Sequence, residues 1–486
     1  MTVVDMLIRD ARVVIPTVGV VEASIVVDDG KVKGLTRDRV DADVSIDASK
    51  PGLYAIPGAV DPHVHYGVFT PIDKAAETES RSAAVGGVTT MMRMLRLYSS
   101  YRAKLDMHLE ASKGSHLVDY AYHASILLDE HLDEMGFCVS KGVTSFKLYM
   151  NLRGDVGGIY MDIDPYSNTL AHGMVDTTQE MVEAAIARAA MLSCITLVHA
   201  EDPEICSREM KRVREQGLNG LKAWSDARPA EAEEKAIAYV TDIAERYGAS
   251  IYIVHVGSSK ALHALAEYKG RKGSSKVYVE TCPHYLTHTH CFDLRGKVVP
   301  PLRSKDDVAM VWDAISNGLI DCIGSDHVAN RLDMKLGSGS CGGSSIGSSS
   351  NDGDGSDGDV WSALAGFPGI ATILPVMLSE GVNKGRITLE RLVELTSLNA
   401  ARIFGLEGKG SIAVGNDADI VLVDLDREKR VSPELLCSYS DYTIYDGWVL
   451  KGWPIYTIVR GRVVMDDGMI VGEKGYGKYI ARRPSR

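Results

Sequence analysis

Short runs of apolar residues separated by polar turns mark both ends of this chain. Met6-Leu7-Ile8, Arg12–Ile15 and Ser24–Val27 lead to Asp28-Asp29-Gly30-Lys31, a hairpin signal, and Val32 resumes the apolar pattern. The far end repeats this. Asp419–Asp424, Tyr456–Val459 and Val463–Met465 read as strands, with Asp466-Asp467-Gly468 as a second turn before Ile470-Val471. The pattern predicts β structure over 1–55 and 412–470, joined as one small domain built from both ends.

The stretch 56–411 alternates apolar strands with helical periodicity. Eight strand candidates end near His65, Met94, Leu127, Lys147, His199, His255, His284 and Asp326. Helix-like segments between and after them include Asp176–Leu192, Glu231–Tyr247, Lys260–Tyr268, Lys305–Asn317, Ile370–Glu380 and Leu389–Arg402. Eight βα repeats predict an α/β fold, a TIM (β/α)8 barrel, whose chemistry sits at the C-terminal ends of the strands. One segment departs from the pattern. Residues 337–358 are Gly, Ser and Asp apart from Cys341, Ile346 and Asn351, too polar to order themselves by burial. They read as a surface insertion, with a lid as the alternative because they follow the eighth strand.

The strand ends carry ligand-type residues. His63 and His65 close an apolar run one residue apart, and on an extended strand such a pair faces one side. Lys147 stands inside Phe146-Lys147-Leu148, where an ammonium is costly to bury. A snorkelling edge lysine is the plain alternative; the functional reading is an amine carboxylated by carbon dioxide, an anion able to bridge two cations. His199, His255 and Asp326 each end an apolar strand of their own. Any one of them is ordinary. Together they suffice for two divalent ions at one mouth, zinc first, with manganese, cobalt or iron as alternatives. A net charge of −12 argues against nucleic acid or an anionic membrane as partner. Eight scattered cysteines fit a reducing cytoplasm, and neither a signal peptide nor a transmembrane run is expected.

At this point the chain resembles the amidohydrolase superfamily, in the cyclic-amidohydrolase branch of hydantoinase, dihydropyrimidinase, allantoinase and dihydroorotase. The matching blocks are Gly58–His65, Gly142–Tyr149, Leu197–Asp202, Ile253–Ser259, Glu280–Leu286, Val299–Arg303, Gly324–His327, Gly452–Gly461 and Gly472–Gly477. The resemblance implies a barrel with a β-sandwich formed by both termini. It implies that His63, His65 and Asp326 bind one metal, that His199 and His255 bind another, and that carboxylated Lys147 bridges them. A hydroxide between the metals would attack a ring carbonyl, with Asp326 as general base and acid. The substrate would be a small cyclic amide of hydantoin or dihydropyrimidine type. The alternatives are an allantoinase, a cyclic imide hydrolase, or a non-catalytic dihydropyrimidinase-related scaffold. A homotetramer is implied too, with the tail 471–486 as a candidate oligomer contact.

Three positions depart from the family pattern. Leu152 stands where a tyrosine usually assists the reaction, leaving Tyr149 and Tyr160 as substitutes. Val299 and Ala365 replace a serine and an asparagine that bind the ring amide through backbone groups. Gly67 stands where dihydroorotases carry an arginine, so that branch ranks low. Tyr66, Phe69, Tyr101 and Tyr160 are candidates to shape the pocket. His284 is a candidate lining residue and His327 a partner of the metal-site shell. His288-Thr289-His290 lacks an apolar lead-in and reads as exposed.

Overall fold

Two turns of the predicted kind organise the terminal sheet. Asp29 and Gly30 both take left-handed backbone (φ 53 and 68), and strands Gly19–Asp28 and Lys31–Thr36 pair across them. Asp467 and Gly468 do the same between Arg462–Asp466 and Met469–Ile470. The structure, a computed structural model, describes residues 3–271, 276–337 and 358–484. The Gly/Ser/Asp-rich stretch between Gly337 and Gly358 lies outside the described residues. Leu53–Pro57 joins the two ends of the chain. It runs parallel to Val4–Ile15 on one side and antiparallel to Ile420–Arg430 on the other. The resulting mostly antiparallel sheet folds about its own core, where Ile8, Val13 and Ile25 meet Ile420, Leu422 and Ile458. This is the β-sandwich.

One residue, Gly58, separates that sheet from the barrel. The staves are β1 (Ala59–His65), β2 (Val88–Leu95), β3 (Asp119–Ser125), β4 (Ser145–Tyr149), β5 (Ile195–His199), β6 (Ser250–Ile253) and β7 (Val277–Thr281). All neighbouring pairs are parallel. The eighth stave is broken. Its first half, β8 (Cys322–Ile323), pairs with β7; its second half, β9 (His327–Val328), pairs with β1 and closes the ring. Gly324-Ser325-Asp326 is the break. The seventh stave ends at Thr281, earlier than expected, and His284 falls in a short 3-10 turn, Pro283–Leu286.

The helices Gln179–Met191, Ala230–Tyr247, Ser259–Gly270 and Lys305–Ser316 lie where the periodicity puts them. The two late segments differ. Ile370–Glu380 winds from a 3-10 turn through Ile373–Val376 into a π turn, Met377–Val382, with Pro375 removing a donor from the ladder. Leu389–Arg402 carries a π turn at Glu394–Leu398. The chain from Tyr476 to Arg482 lies along its own barrel. Ile480 donates to the Tyr120 carbonyl at 2.8 Å and Arg482 to that of Gly142 at 3.0 Å.

Candidate active site

His63 and His65 emerge on one side of β1, as alternation dictates, with Nε2 atoms 3.2 Å apart. Asp326 Oδ1 lies 3.3 Å from one and 3.2 Å from the other. The break in the eighth stave puts it there: Asp326 adopts left-handed backbone (φ 49), uncommon for a residue with a Cβ. Asp61 fastens the break to β1 by accepting from the Ser325 and His63 N–H groups at 3.0 and 3.1 Å. Gly324 is required by close approach, because a Cβ there would sit 2.7 Å from the Glu280 carboxyl carbon and 3.1 Å from His63 Cβ.

Three further staves complete the cluster. Lys147, central in β4, is fully buried, and its Nζ has no hydrogen-bond partner among the described residues. Burial draws its ammonium down to about 7, against the opposing pull of Glu280 and Asp326. His199 closes β5. His255 follows β6 in left-handed backbone (φ 44), with its Nδ1 unpartnered among the described residues. Its ring lies 4.5 Å from that of His199 and 5.4 Å from that of His63, centre to centre. Burial lowers His63 to about 3 and His199 to about 4, so both imidazoles are neutral at neutral pH and hold a free lone pair.

Carboxylates behind the rings orient them. Glu280 on β7 takes three donors: His63 Nδ1 at 2.7 Å, the His255 N–H at 3.0 Å and the Tyr252 hydroxyl at 3.0 Å. His63 therefore turns Nε2 into the cluster. Glu201 accepts from His199 Nε2 at 2.5 Å and is gripped by Arg228 at 3.0 and 2.7 Å. Burial pushes the Glu201 carboxyl up, but Arg228 and the His199 bond outweigh it and hold it near 2. Arg96, at the end of β2, donates to His65 Nδ1 at 2.6 Å and to the Tyr149 hydroxyl at 3.1 Å.

These groups line one cavity of about 340 Å³, walled also by Phe69, Tyr149, Asn151, Leu152, Tyr160, Val299 and Ala365. The backbone groups of Val299 and Ala365 make no hydrogen bond among the described residues. The other cluster with ligand spacing, Asp119, Asp417 and Asp419, already surrounds Lys409 Nζ at 2.6, 3.0 and 2.6 Å; it is a salt cluster.

Several expected roles are not met. Tyr66 and Tyr101 lie in the core, the first bonded to His116 and the second to the Ser125 carbonyl. His284 packs on Phe367 outside the cavity lining, and His327 pairs with Glu79 rather than with a ligand. His288 is buried, not exposed. It donates to the Ile444 carbonyl at 3.1 Å and stacks on Trp448, aromatic cover from far along the chain. Arg96, Asn151, Glu201 with Arg228, and Glu280 were missed. Arg96 alone had the signal used for the histidines, a polar residue ending an apolar strand.

The family model described as "Amidohydrolase family" matches residues 54–464. The L-hydantoinase of Paenarthrobacter aurescens is 31% identical, over 99% of this chain and 98% of that protein. The D-hydantoinase of Geobacillus stearothermophilus is 31% identical, over 98% and 96%. The crystal structure of dihydropyrimidinase from Brevibacillus agri NCHU1002 superposes with a TM-score of 0.84 at 28% identity, over 99% of each chain.

Proposed function

The chain belongs to the amidohydrolase family, and from that premise we propose that it opens the ring of a cyclic amide of hydantoin or dihydropyrimidine type, as a metal-dependent hydrolase. One observation carries this reading: six ligand-type side chains from five staves converge on a single cavity at the C-terminal mouth of the barrel. His63, His65 and Asp326 would hold one divalent cation and His199 and His255 a second. Neutral imidazoles and carboxylate oxygens suit zinc first. Lys147 fits the bridging place. An ammonium there would be a buried charge without a hydrogen-bond partner among the described residues, whereas its neutral amine adds to carbon dioxide, loses a proton and becomes a carbamate with two oxygens.

The ions supply a polarised carbonyl and a water of lowered pKa. The chain supplies the rest. Asp326 takes the proton of the attacking water and passes it to the leaving ring nitrogen. Glu280 and Glu201 fix the two histidine rings so that no reorientation accompanies the reaction. The unengaged backbone groups of Val299 and Ala365 would bind the ring amide, and Tyr149 and Tyr160 line the same cavity.

A reducing cytoplasm agrees with the seven described cysteines, all free thiols, and no described helix is long and apolar enough to cross a membrane. The homotetramer rests on the family resemblance. Light scattering tests it, with four times 52.7 kDa expected. Activity is tested with purified enzyme, added zinc or manganese, and bicarbonate. The panel holds hydantoin, 5-substituted hydantoins of both hands, dihydrouracil, allantoin, dihydroorotate and cyclic imides. Chelator-sensitive opening of hydantoins or dihydrouracil is the expected result. Opening confined to allantoin or imides would move the substrate, and a metal-loaded enzyme that opens none of them would overturn the reading.

A further inference from the structure

Arg96 follows β2 directly and stands half-buried at the wall of the cavity. Its guanidinium donates to three neutral acceptors: the Tyr149 hydroxyl at 3.1 Å, the Tyr160 carbonyl at 3.3 Å and His65 Nδ1 at 2.6 Å. A guanidinium carries five N–H groups, so these bonds leave part of the fork unused. Among the described residues Arg96 forms no ion pair, whereas the buried Arg93, Arg228 and Arg303 face Asp162 at 3.0 Å, Glu201 at 2.7 Å and Glu233. Asp162 and Asp326 feel the charge of Arg96, but both are engaged elsewhere. Asp162 serves Arg93 and the Arg96 backbone N–H, and Asp326 lies against His63 and His65. A cation drawn partly out of water without an anion is costly, and a carboxylate is the group its planar fork fits.

Metal binding loosens this guanidinium further. With His65 Nδ1 accepting from Arg96, the ring proton sits on Nε2, the nitrogen beside Asp326. Ligation through Nε2 needs the proton on Nδ1, where two donors would then meet, so Arg96 gives up that bond in the loaded enzyme. Nδ1 is the ring nitrogen away from the cluster, so Arg96 stands one imidazole's width behind it. That distance suits a group on a substituent rather than the carbonyl under attack. We propose that Arg96 binds a carboxylate on a short substituent of the ring, and so makes acidic cyclic amides better substrates than neutral ones of the same shape. This rests on the ring-opening reading and narrows its substrate to anionic members.

Acid and amide pairs isolate the charge. The substrates are hydantoins bearing a carboxymethyl or a carboxyethyl group at position 5, each compared with its primary amide, which has nearly the same shape. The experiment measures kcat/KM for both members of each pair with metal-loaded wild type, Arg96→Met and Arg96→Lys, and checks the metal content of each protein. General damage to the site cancels when the acid-to-amide ratio of a variant is divided by that of wild type. Wild type should prefer the acid. Arg96→Met should lower the ratio by about 10–100-fold, and Arg96→Lys, which keeps a cation without the fork, should fall between them. The preference of wild type should shrink as salt is raised. Calorimetry on the metal-loaded proteins with the ring-opened acids and amides gives the same comparison as Kd, without turnover.

An unchanged ratio in Arg96→Met overturns the assignment to Arg96 and leaves the ring-opening reading standing. A wild type that opens the amides as readily as the acids, or binds both ring-opened forms equally, also overturns it, whether or not the methionine variant folds. A metal-loaded wild type that opens no ring overturns both.

Discussion

Glu280 decides how the first histidine presents itself, although it would touch neither metal nor substrate. Its two oxygens take three donors from β1, β6 and the residues just past it, so one carboxylate sets the angle of His63 and the path of the chain at His255. A glutamine keeps the shape but offers one acceptor oxygen and one amide. Glu280→Gln should therefore weaken metal binding by about 10–100-fold while the chain still folds, as measured by metal content against a graded chelator. Retained affinity would reduce Glu280 to a packing role. The ligand histidines were legible in the sequence because each ends an apolar run, a pattern visible over five or six residues. Glu280 sits inside such a run, Val277-Tyr278-Val279-Glu280-Thr281, and its partners lie on other staves, so nothing local distinguished it from an edge residue.

At the scale of elements, the informative places are where regular structure stops. The eighth stave breaks for three residues, and the break lets Asp326 face inward while the halves on either side still pair with β7 and β1. The sequence showed the strand and the aspartate but not the interruption, because no periodicity is long enough to register in a two-residue strand. The late helices were legible as helical and not as wound through π turns. In His288-Thr289-His290, read as exposed, the first histidine is buried while the other two residues are half-buried. The polar residues suggest a surface loop, but Tyr445 and Trp448 arrive from far along the chain and cover His288. Burial pulls that imidazole from 6.5 to about 4. The neutral ring is the one the fold accommodates, so its contribution is complete above about pH 6.5 and is lost as pH falls toward 4, a change of about 3 kcal/mol. Comparing wild type with His288→Gln by urea denaturation at several pH values should show the gap between them narrowing through that window. A gap that stays constant would mean that His288 does not titrate across it.

Across the whole molecule, the mouth of the barrel holds the chemistry and the opposite end holds the attachment of the β-sandwich. Lys409 is the anchor there, buried among Asp119 at the foot of β3 and Asp417 and Asp419 beside the terminal sheet. Arg460 reaches the same Asp119. Removing the lysine would strand these carboxylates without their central cation, a loss of about 3–5 kcal/mol. Lys409→Met should lower the urea midpoint accordingly, and metal content measured in the folded range should be unchanged. A metal-dependent midpoint shift would instead make this cluster an ion site. The architecture was legible at this scale because both ends of the chain carry the same strand-and-turn pattern around a βα repeat. The attachment was not, since its charges are scattered over 119, 409, 417, 419 and 460. That scattering has a consequence for the making of the protein. Leu53–Pro57 is complete early in synthesis, but its antiparallel neighbour, Ile420–Arg430, follows only after the whole barrel, roughly 20–70 s later at ordinary ribosomal speeds. Through that interval the nascent chain shows one open sheet edge beside a growing barrel, so a premature stop just before Ile420 would leave a polypeptide with its ligands intact and a permanent invitation to chaperones, proteases or aggregation.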